Sequence, residues 1–303
     1  AAARKIRPFF STATNGTVLS DAQLRLMTEH RFQVQVSLDG CAAAQDATRP
    51  YRNGRSSHAR VEANLRRLLA AGFQIRVVSV IDPANVDHLA ASFDYLMDLG
   101  VRIIHFSPNY SADWSGEAGD RFLAALRRLA DRYMTRLRAG QDVRLDPLNG
   151  KIVTHLNRGH REKDLCQFGQ QELAISPRGR IYPCDRLVAE DESDAVCIGD
   201  LEHGLDEAKR DALVRAKNTP DTECAACPLQ PRCMTWCGCA NFETTGAVGN
   251  VSPTVCWFER SFIAEADRVA NTLFTEQDPA FLRRFYVPEA PPPPAEPPPE
   301  PKK

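Results

Sequence analysis

Across the first 140 residues, apolar positions switch between two spacings. Short runs rich in Val, Ile and Phe read as strands, and apolar residues three or four apart read as amphipathic helices. A strand is predicted over Arg7–Ala13, then a helix capped by Ser20 and running to His30. Phe32–Leu38 (FQVQVSL) predicts a second strand, and Ser56–Ala71 a helix closed by Gly72 at its C′ position. Phe73–Ile81 predicts a third strand, Val86–Leu99 a helix closed by Gly100, and Val101–Ser107 a fourth strand. Glu117–Ala139 predicts a long helix ending at Gly140. Alternation of this kind implies an α/β fold with parallel strands joined by right-handed helical crossovers.

After residue 160 the pattern breaks into short strands and turns. Glu172–Ser176 and Arg180–Pro183 flank Pro177-Arg178-Gly179 and read as a hairpin. Folding back there sets Cys184 opposite Glu172, with Cys166 just beyond. Leu201–Thr219 reads as a short helix and linker, and Ser261–Phe274 as a final amphipathic helix. Val287–Lys303 holds nine of the 21 prolines and reads as an extended, disordered tail.

Composition narrows the function classes. The 303 residues suffice for two cores. A formal charge of −1 with both signs interspersed gives no footprint for nucleic acid or an anionic membrane. The start, AAARKIRPFF, has no apolar core of a signal peptide, and no run approaches membrane-spanning length, so a cytoplasmic location is expected.

The strand ends carry Thr14-Asn15-Gly16, Ser37-Leu38-Asp39-Gly40, Asp82-Pro83 and Ser107-Pro108-Asn109. Such residues let a polar ligand approach the backbone, yet ordinary strand-to-helix turns favour them too.

The strongest signal is cysteine spacing. Seven of the ten cysteines form Cys166-x12-Gly179-x4-Cys184, Cys224-x2-Cys227-x5-Cys233-x3-Cys237 and Cys256. Thiolates suit zinc, Cu(I) or iron–sulfur clusters. A disulfide scaffold would want a short secreted chain. A zinc ribbon would want two CxxC knuckles, and only Cys224/Cys227 qualifies. Seven thiols are too many for one tetrahedral ion, and iron–sulfur ligation is the reading the spacing favours.

With Thr14-Asn15-Gly16-Thr17, Val36-Ser37-Leu38-Asp39-Gly40 and Arg49, the cysteine array resembles the radical S-adenosylmethionine (SAM) superfamily and its SPASM extension over residues 9 to 262. The resemblance implies a partial (β/α)6 barrel, its last four β/α units, over 1–112. Bridging helices would follow over 113–160, an auxiliary-cluster domain over 161–262, and a C-terminal helix over 263–286. It implies two auxiliary [4Fe–4S] clusters. Cys224, Cys227, Cys233 and Cys256 would hold the distal one. Cys166, Cys184 and Cys237 would hold the proximal one, its fourth position filled by Glu172, Cys197 or Cys239 or left open. Thr14, Asn15, Ser37 and Arg49 would lie beside SAM. Asp185, which follows Cys184, would be the catalytic base; otherwise it caps a turn or pairs with Arg186.

The superfamily's CX3CX2C motif, which holds the SAM-cleaving cluster, does not occur in the sequence. A longer parent enzyme is therefore expected to supply that third cluster and SAM, with this chain inactive alone; a degenerate homologue is the other reading. The implied activity is an oxidoreductase acting on a peptide or protein side chain, served by a flavodoxin- or ferredoxin-type reductant. Ribosomal peptide maturation is the first expectation, being the broader group. Anaerobic sulfatase maturation to formylglycine, or a non-enzymatic zinc, iron–sulfur or electron-carrier module, are the alternatives. Cys41 reads as an inert thiol, His105 as a hydrogen-bonded core histidine, and Trp236 and Trp257 as shields for cluster sulfurs.

Overall fold

The computed structural model describes residues 8–219 and 221–286, so the tail expected over 287–303 lies outside the described residues. Five strands form one sheet: β1 (Ser11–Thr14), β2 (Gln33–Ser37), β3 (Ile75–Ile81), β4 (Ile103–Pro108) and β5 (Arg144–Asp146). They pair in parallel in the order β1-β2-β3-β4-β5. When each strand lies beside its predecessor, right-handed crossovers all return on the same side. That side carries α1 (Asp21–Glu29), α3 (His58–Ala70), α4 (Leu89–Asp98) and α5 (Glu117–Arg138), with the short α2 (Ala42–Thr48) in the loop after β2.

One-sided wrapping sorts the strand residues by face. Val34, Val36, Ile75, Val77, Ile104, Phe106 and Leu145 are buried in one core with Val61, Leu65, Phe93, Leu96, Phe122 and Leu126 of the helices. The alternate positions include Gln35 beside Arg76, Ser37 beside Val78, and His105 beside Asp146. The uncovered face is therefore largely polar, while the covered face is aliphatic.

The local signals act as expected in several places. Ser20 and Gln23 form a reciprocal capping box at the start of α1. In α5, Phe122, Leu126, Leu129, Tyr133 and Leu137 recur at helical spacing and are buried. Elsewhere the structure differs from the sequence reading. The sheet has five parallel strands rather than four, because Arg144–Asp146 adds to β4. The strand expected over Arg7–Ala13 is observed as β1 at Ser11–Thr14, with residues 8–10 outside it and Arg7 outside the described residues. The final helix is α10 (Pro253–Thr275), followed by α11 (Pro279–Tyr286). A domain boundary at 262 would thus cut a continuous helix.

The cysteine-rich part begins beyond α6 (Leu148–Leu156). The predicted hairpin is present as β6 (Ala174–Ile175) and β7 (Ile181–Tyr182), and a second small pair joins β8 (Gly199–Asp200) to β9 (Gly204–Leu205). Then come α7 (Glu207–Asn218), α8 (Thr222–Ala225) and α9 (Gly238–Thr245). α10 fixes this part to the sheet. Its Phe258 ring lies 4.7 Å from Phe122, 5.1 Å from Trp114 and 5.6 Å from Tyr110, centroid to centroid.

A buried ion pair completes the junction. Lys151 of α6 and Glu259 of α10 meet at 2.6 Å, their side chains 6% and 3% exposed. Lys151 Nζ also donates to the Arg232 carbonyl at 2.9 Å, and the Met234 amide donates to Glu259 Oε2 at 2.6 Å. Removing one partner leaves the other charge buried and unpaired. Glu259→Ala should therefore cost about 3–5 kcal/mol, measured by urea denaturation. A loss below about 1 kcal/mol would show that water reaches and solvates Lys151.

Candidate metal centres and active site

Four of the cysteines meet where α8, a 3-10 turn at Gln230–Arg232 and the start of α10 come together. Asp221 caps α8, its Oδ1 accepting from the Cys224 amide at 2.7 Å. Successive turns then fold Cys227 and Cys233 back, with Cys227 N donating to Cys224 O and Cys233 N to Gln230 O. The first turn of α10 presents Cys256. Cys224, Cys227, Cys233 and Cys256 line one small cavity with Leu229, Thr235 and Ile263. Burial, then the Glu259 charge, pushes the Cys233 thiol up to about 12. Burial, then Asp221, pushes Cys224 up to about 11. Metal capture here must displace protons, so affinity falls with acid.

A second group gathers around α9. Cys237 is its N-cap and Cys239 lies in its first turn, with Sγ atoms 3.3 Å apart. Cys184, which follows β7, has its thiol within hydrogen-bonding reach of Cys239. That contact lowers the Cys184 pKa. The Cys239 hydrogen bond also lowers Cys237, to about 6, against the opposing effect of burial, while the Ala240 amide and Arg186 assist. Cys166 stands beside Glu172, Sγ to Oε2 3.6 Å, and burial pushes it up to about 11. Buried Lys217 ties these segments, its Nζ donating to the carbonyls of Cys166 at 3.4 Å and Trp236 at 3.3 Å. Cys197 is engaged elsewhere, receiving Arg180 Nε at 3.4 Å and lining a separate polar pocket with Asp194, His203 and Lys209.

Among the described residues, no three His, Cys, Asp or Glu side chains converge on a single-ion position. The donor chemistry of both groups, four thiols around one cavity and three or four around α9, fits a polynuclear thiolate-ligated cluster.

The sheet's carboxyl end holds the other candidates. Buried Asp39 organises the loop after β2. Its Oδ2 accepts from Arg49 Nε at 2.8 Å and Thr48 Oγ1 at 2.5 Å, and its Oδ1 accepts from the Val80 amide at 2.8 Å. Arg49, which follows α2, is thereby tied to the loop after β2, at Asp39, two residues beyond Ser37. Gly40 takes φ +119°, and a Cβ there would lie 2.1 Å from Ser92 Oγ. The loop can therefore press onto α4 only with glycine at this position. Thr14 and Asn15 serve their own turn: Thr14 Oγ1 accepts from Gly16 N, and Asn15 Oδ1 from Thr17 N and Oγ1. Thr14 pairs with Val36, so its side chain falls on the covered face, apart from Ser37.

Other expectations are adjusted. Asp185 is exposed and starts a 3-10 turn; its Oδ1 accepts from Arg186 N at 2.9 Å and lies 3.4 Å from Cys184 Sγ. The Arg186 side chain pairs with Glu243 instead. Trp257 packs on Phe122 and Phe258 in the core rather than over thiols. Trp236 stands edge-on to His160, its buried indole N–H without a partner. His105 lies on the uncovered face, where burial lowers its pKa and the Asp146 carboxylate opposes that shift. Cys41 Sγ accepts from Ser92 Oγ at 3.6 Å.

No protein-family model matches the chain. It is 26% identical over 239 residues to a serine-type anaerobic sulfatase-maturating enzyme of Klebsiella aerogenes, covering 75% of this chain and 57% of that protein. A cysteine-type anaerobic sulfatase-maturating enzyme of Clostridium novyi is 23% identical over 293 residues, covering 90% of this chain and 76% of that one. The structure described as native anSMEcpe with bound AdoMet superposes with a TM-score of 0.73 at 17% identity, over 90% of this chain and 78% of its own. These relatives and neighbours support a radical SAM/SPASM maturase-like protein. The chain spans just under three-fifths of the length of the Klebsiella aerogenes relative. SuiB of Streptococcus suis bound to SAM shares the fold at TM-score 0.52 and 15% identity, over 81% of this chain and 58% of its own. No helix among the described residues is long and apolar enough to cross a membrane.

The Asp39 network yields a direct test. Asp39→Ala leaves an amide, a hydroxyl and a guanidinium without their acceptor, and should cost at least about 2 kcal/mol. Chemical denaturation reads that loss; an unchanged midpoint would show the loop to be held by other contacts.

Proposed function

We propose that this protein acts as a side-chain oxidase of the sulfatase-maturating type, removing two electrons and two protons from a cysteine or serine residue of a protein or peptide. The observation that carries this reading is the division of the thiols into two separate groups on one α/β scaffold with a polar uncovered sheet face. Sequence relatives named as serine-type and cysteine-type sulfatase-maturating enzymes support it. So does a fold neighbour described as holding AdoMet and a peptide, Cp18Cys. These findings shift weight from ribosomal peptide maturation to what the sequence offered as its alternative.

In this reading Cys224, Cys227, Cys233 and Cys256 hold the distal cluster, and Cys166, Cys184 and Cys237 contribute to the proximal one. Bound there, the clusters supply one-electron acceptors, while SAM supplies hydrogen-atom abstraction. The CX3CX2C motif does not occur in this sequence. The chain's own residues perform the remaining work. Arg49, fixed by Asp39, and Ser37 present a guanidinium and a hydroxyl at the carboxyl end of β2. Asp185 stands within 3.4 Å of a proximal thiol, exposed to water, with its neighbouring arginine engaged by Glu243. It takes the proton from the substrate heteroatom and returns it to solvent.

A second reading, maturation of a ribosomal peptide, rests on the fold shared with SuiB, one of whose structures is described as bound to the precursor peptide SuiA. Assaying the full-length protein on a sulfatase-derived peptide and on a precursor peptide separates the two. Turnover of the precursor alone would overturn the sulfatase reading.

Two outcomes are expected. Anaerobically reconstituted protein should bind about eight iron atoms, and Cys227→Ala about half as many with a lower melting temperature. Stoichiometric zinc with negligible iron would instead establish the non-enzymatic module. In the full-length protein, Asp185→Asn should keep its iron while product formation falls at least about a hundredfold. Unchanged turnover would make Asp185 a turn residue.

A further inference from the structure

We infer that Cys239 supplies the fourth thiolate of the proximal metal centre, so that this centre is closed to substrate and serves as an electron carrier. The inference rests on the iron–sulfur reading above and concerns a residue outside the seven-cysteine array.

Three side chains compete for the position, and their surroundings differ. Glu172 reaches only Cys166, at 3.6 Å, and it is exposed, so its carboxylate is well solvated without a metal. Cys197 is held by the Arg180 guanidinium and lies within 3.3 Å of the Gly199 carbonyl, and it opens onto the other pocket. Cys239 is 5% exposed. Its sulfur lies 3.3 Å from Cys237 Sγ, and its thiol is also in hydrogen-bonding reach of Cys184. Two independent segments, the strand end after β7 and the start of α9, thus bring Cys184 and the Cys237/Cys239 pair together, with Cys239 buried and the other two half-buried.

The backbone explains why both cysteines of the Cys237-Gly238-Cys239 segment stay there. A Cβ on Gly238 would lie 3.0 Å from Lys217 Cγ and 3.3 Å from Phe168 Cε2. Glycine lets the first turn of α9 seat tightly against Lys217, the same lysine that holds the Cys166 carbonyl. The seat brings Cys166 and the α9 pair into one neighbourhood. The first-turn amides of α9 and the Lys217 ammonium add positive charge where an anionic thiolate set would sit. Four thiolates occupy all the protein-ligand positions of one cluster, which leaves no iron free to take a substrate atom.

The test uses the chain reconstituted anaerobically with iron and sulfide, read by iron analysis and by electron paramagnetic resonance of the reduced protein. Cys239→Ala should lose up to about half of the iron while the distal spectrum persists as an internal control of folding. Glu172→Gln and Cys197→Ala should match wild type. Imidazole titrated into wild type should leave both spectra unchanged, because a cluster whose four irons each carry a cysteine thiolate has no position to offer. Loss of the proximal signal in Glu172→Gln, its retention in Cys239→Ala, or a wild-type spectrum that shifts with imidazole would each overturn the inference. If Cys239→Ala loses all iron through misfolding, the imidazole titration decides together with the other two variants: unchanged spectra with full iron in Glu172→Gln and Cys197→Ala support Cys239, and proximal loss in either overturns it. Wild-type protein that takes up no iron overturns the cluster reading of the proposed function, and this inference with it.

Discussion

The arrangement of this molecule depends on a pair of opposite charges placed where neither can reach water. Lys151 and Glu259 join α6 to α10, and each also binds the backbone of the cysteine-bearing loop at Arg232 and Met234. A buried ion pair is seldom a net source of stability, because desolvation offsets most of the attraction. Its value here is positional. Both charges demand full satisfaction, so only one placement of the 230–234 loop against the two helices is cheap. Cys233 lies inside that loop, and its position relative to the sheet follows from the electrostatics of residues that touch no metal.

The second organising constraint is topological. A sheet whose strands follow sequence order must return every crossover on one face, so it ends with one aliphatic side and one polar side. The loops at its carboxyl end are then held by buried polar contacts rather than by apolar packing. Asp39 shows how: one carboxylate orders an arginine, a threonine and a neighbouring strand's amide. Such an anchor sets a guanidinium in place before any ligand arrives, and the ordering cost is met during folding rather than on binding.

Much of this was legible in the chain because the signals are local. The β2, β3 and β4 strands, the long α5 and the Ser20 cap follow from periodicity and capping chemistry within windows of about ten residues. The hairpin at Pro177-Arg178-Gly179 is equally local, and it pairs Ala174 with Tyr182 and Ile175 with Ile181. What escaped is non-local. β5 is three residues, Arg-Leu-Asp, with a single apolar side chain, and becomes a strand only because β4 offers an edge. α2, with the sequence AAAQDAT, has no apolar stripe to announce it. The resemblance places Thr14 with Ser37 beside SAM, whereas strand register puts the two on opposite faces. Lys217 gave no signal at all, since a lysine late in a polar helix looks solvated until Cys166 and Trp236 close over it. Cys239 looked like a spare because spacing rules describe arrays, and its relation to Cys184 exists only after two distant segments meet.

One helix joins two tasks that enzymes usually keep apart. Within three residues, α10 turns from Cys256, at the four-thiol cavity, to Phe258, at the centre of the aromatic packing on α5. Occupancy of that cavity and tightness of the helical layer are therefore one thermodynamic variable: whatever ligand holds the first turn of α10 also holds the core in place. If the proposed cluster fills that cavity, losing it would also release the first turn of α10, loosen the helical layer and expose apolar surface to proteolysis.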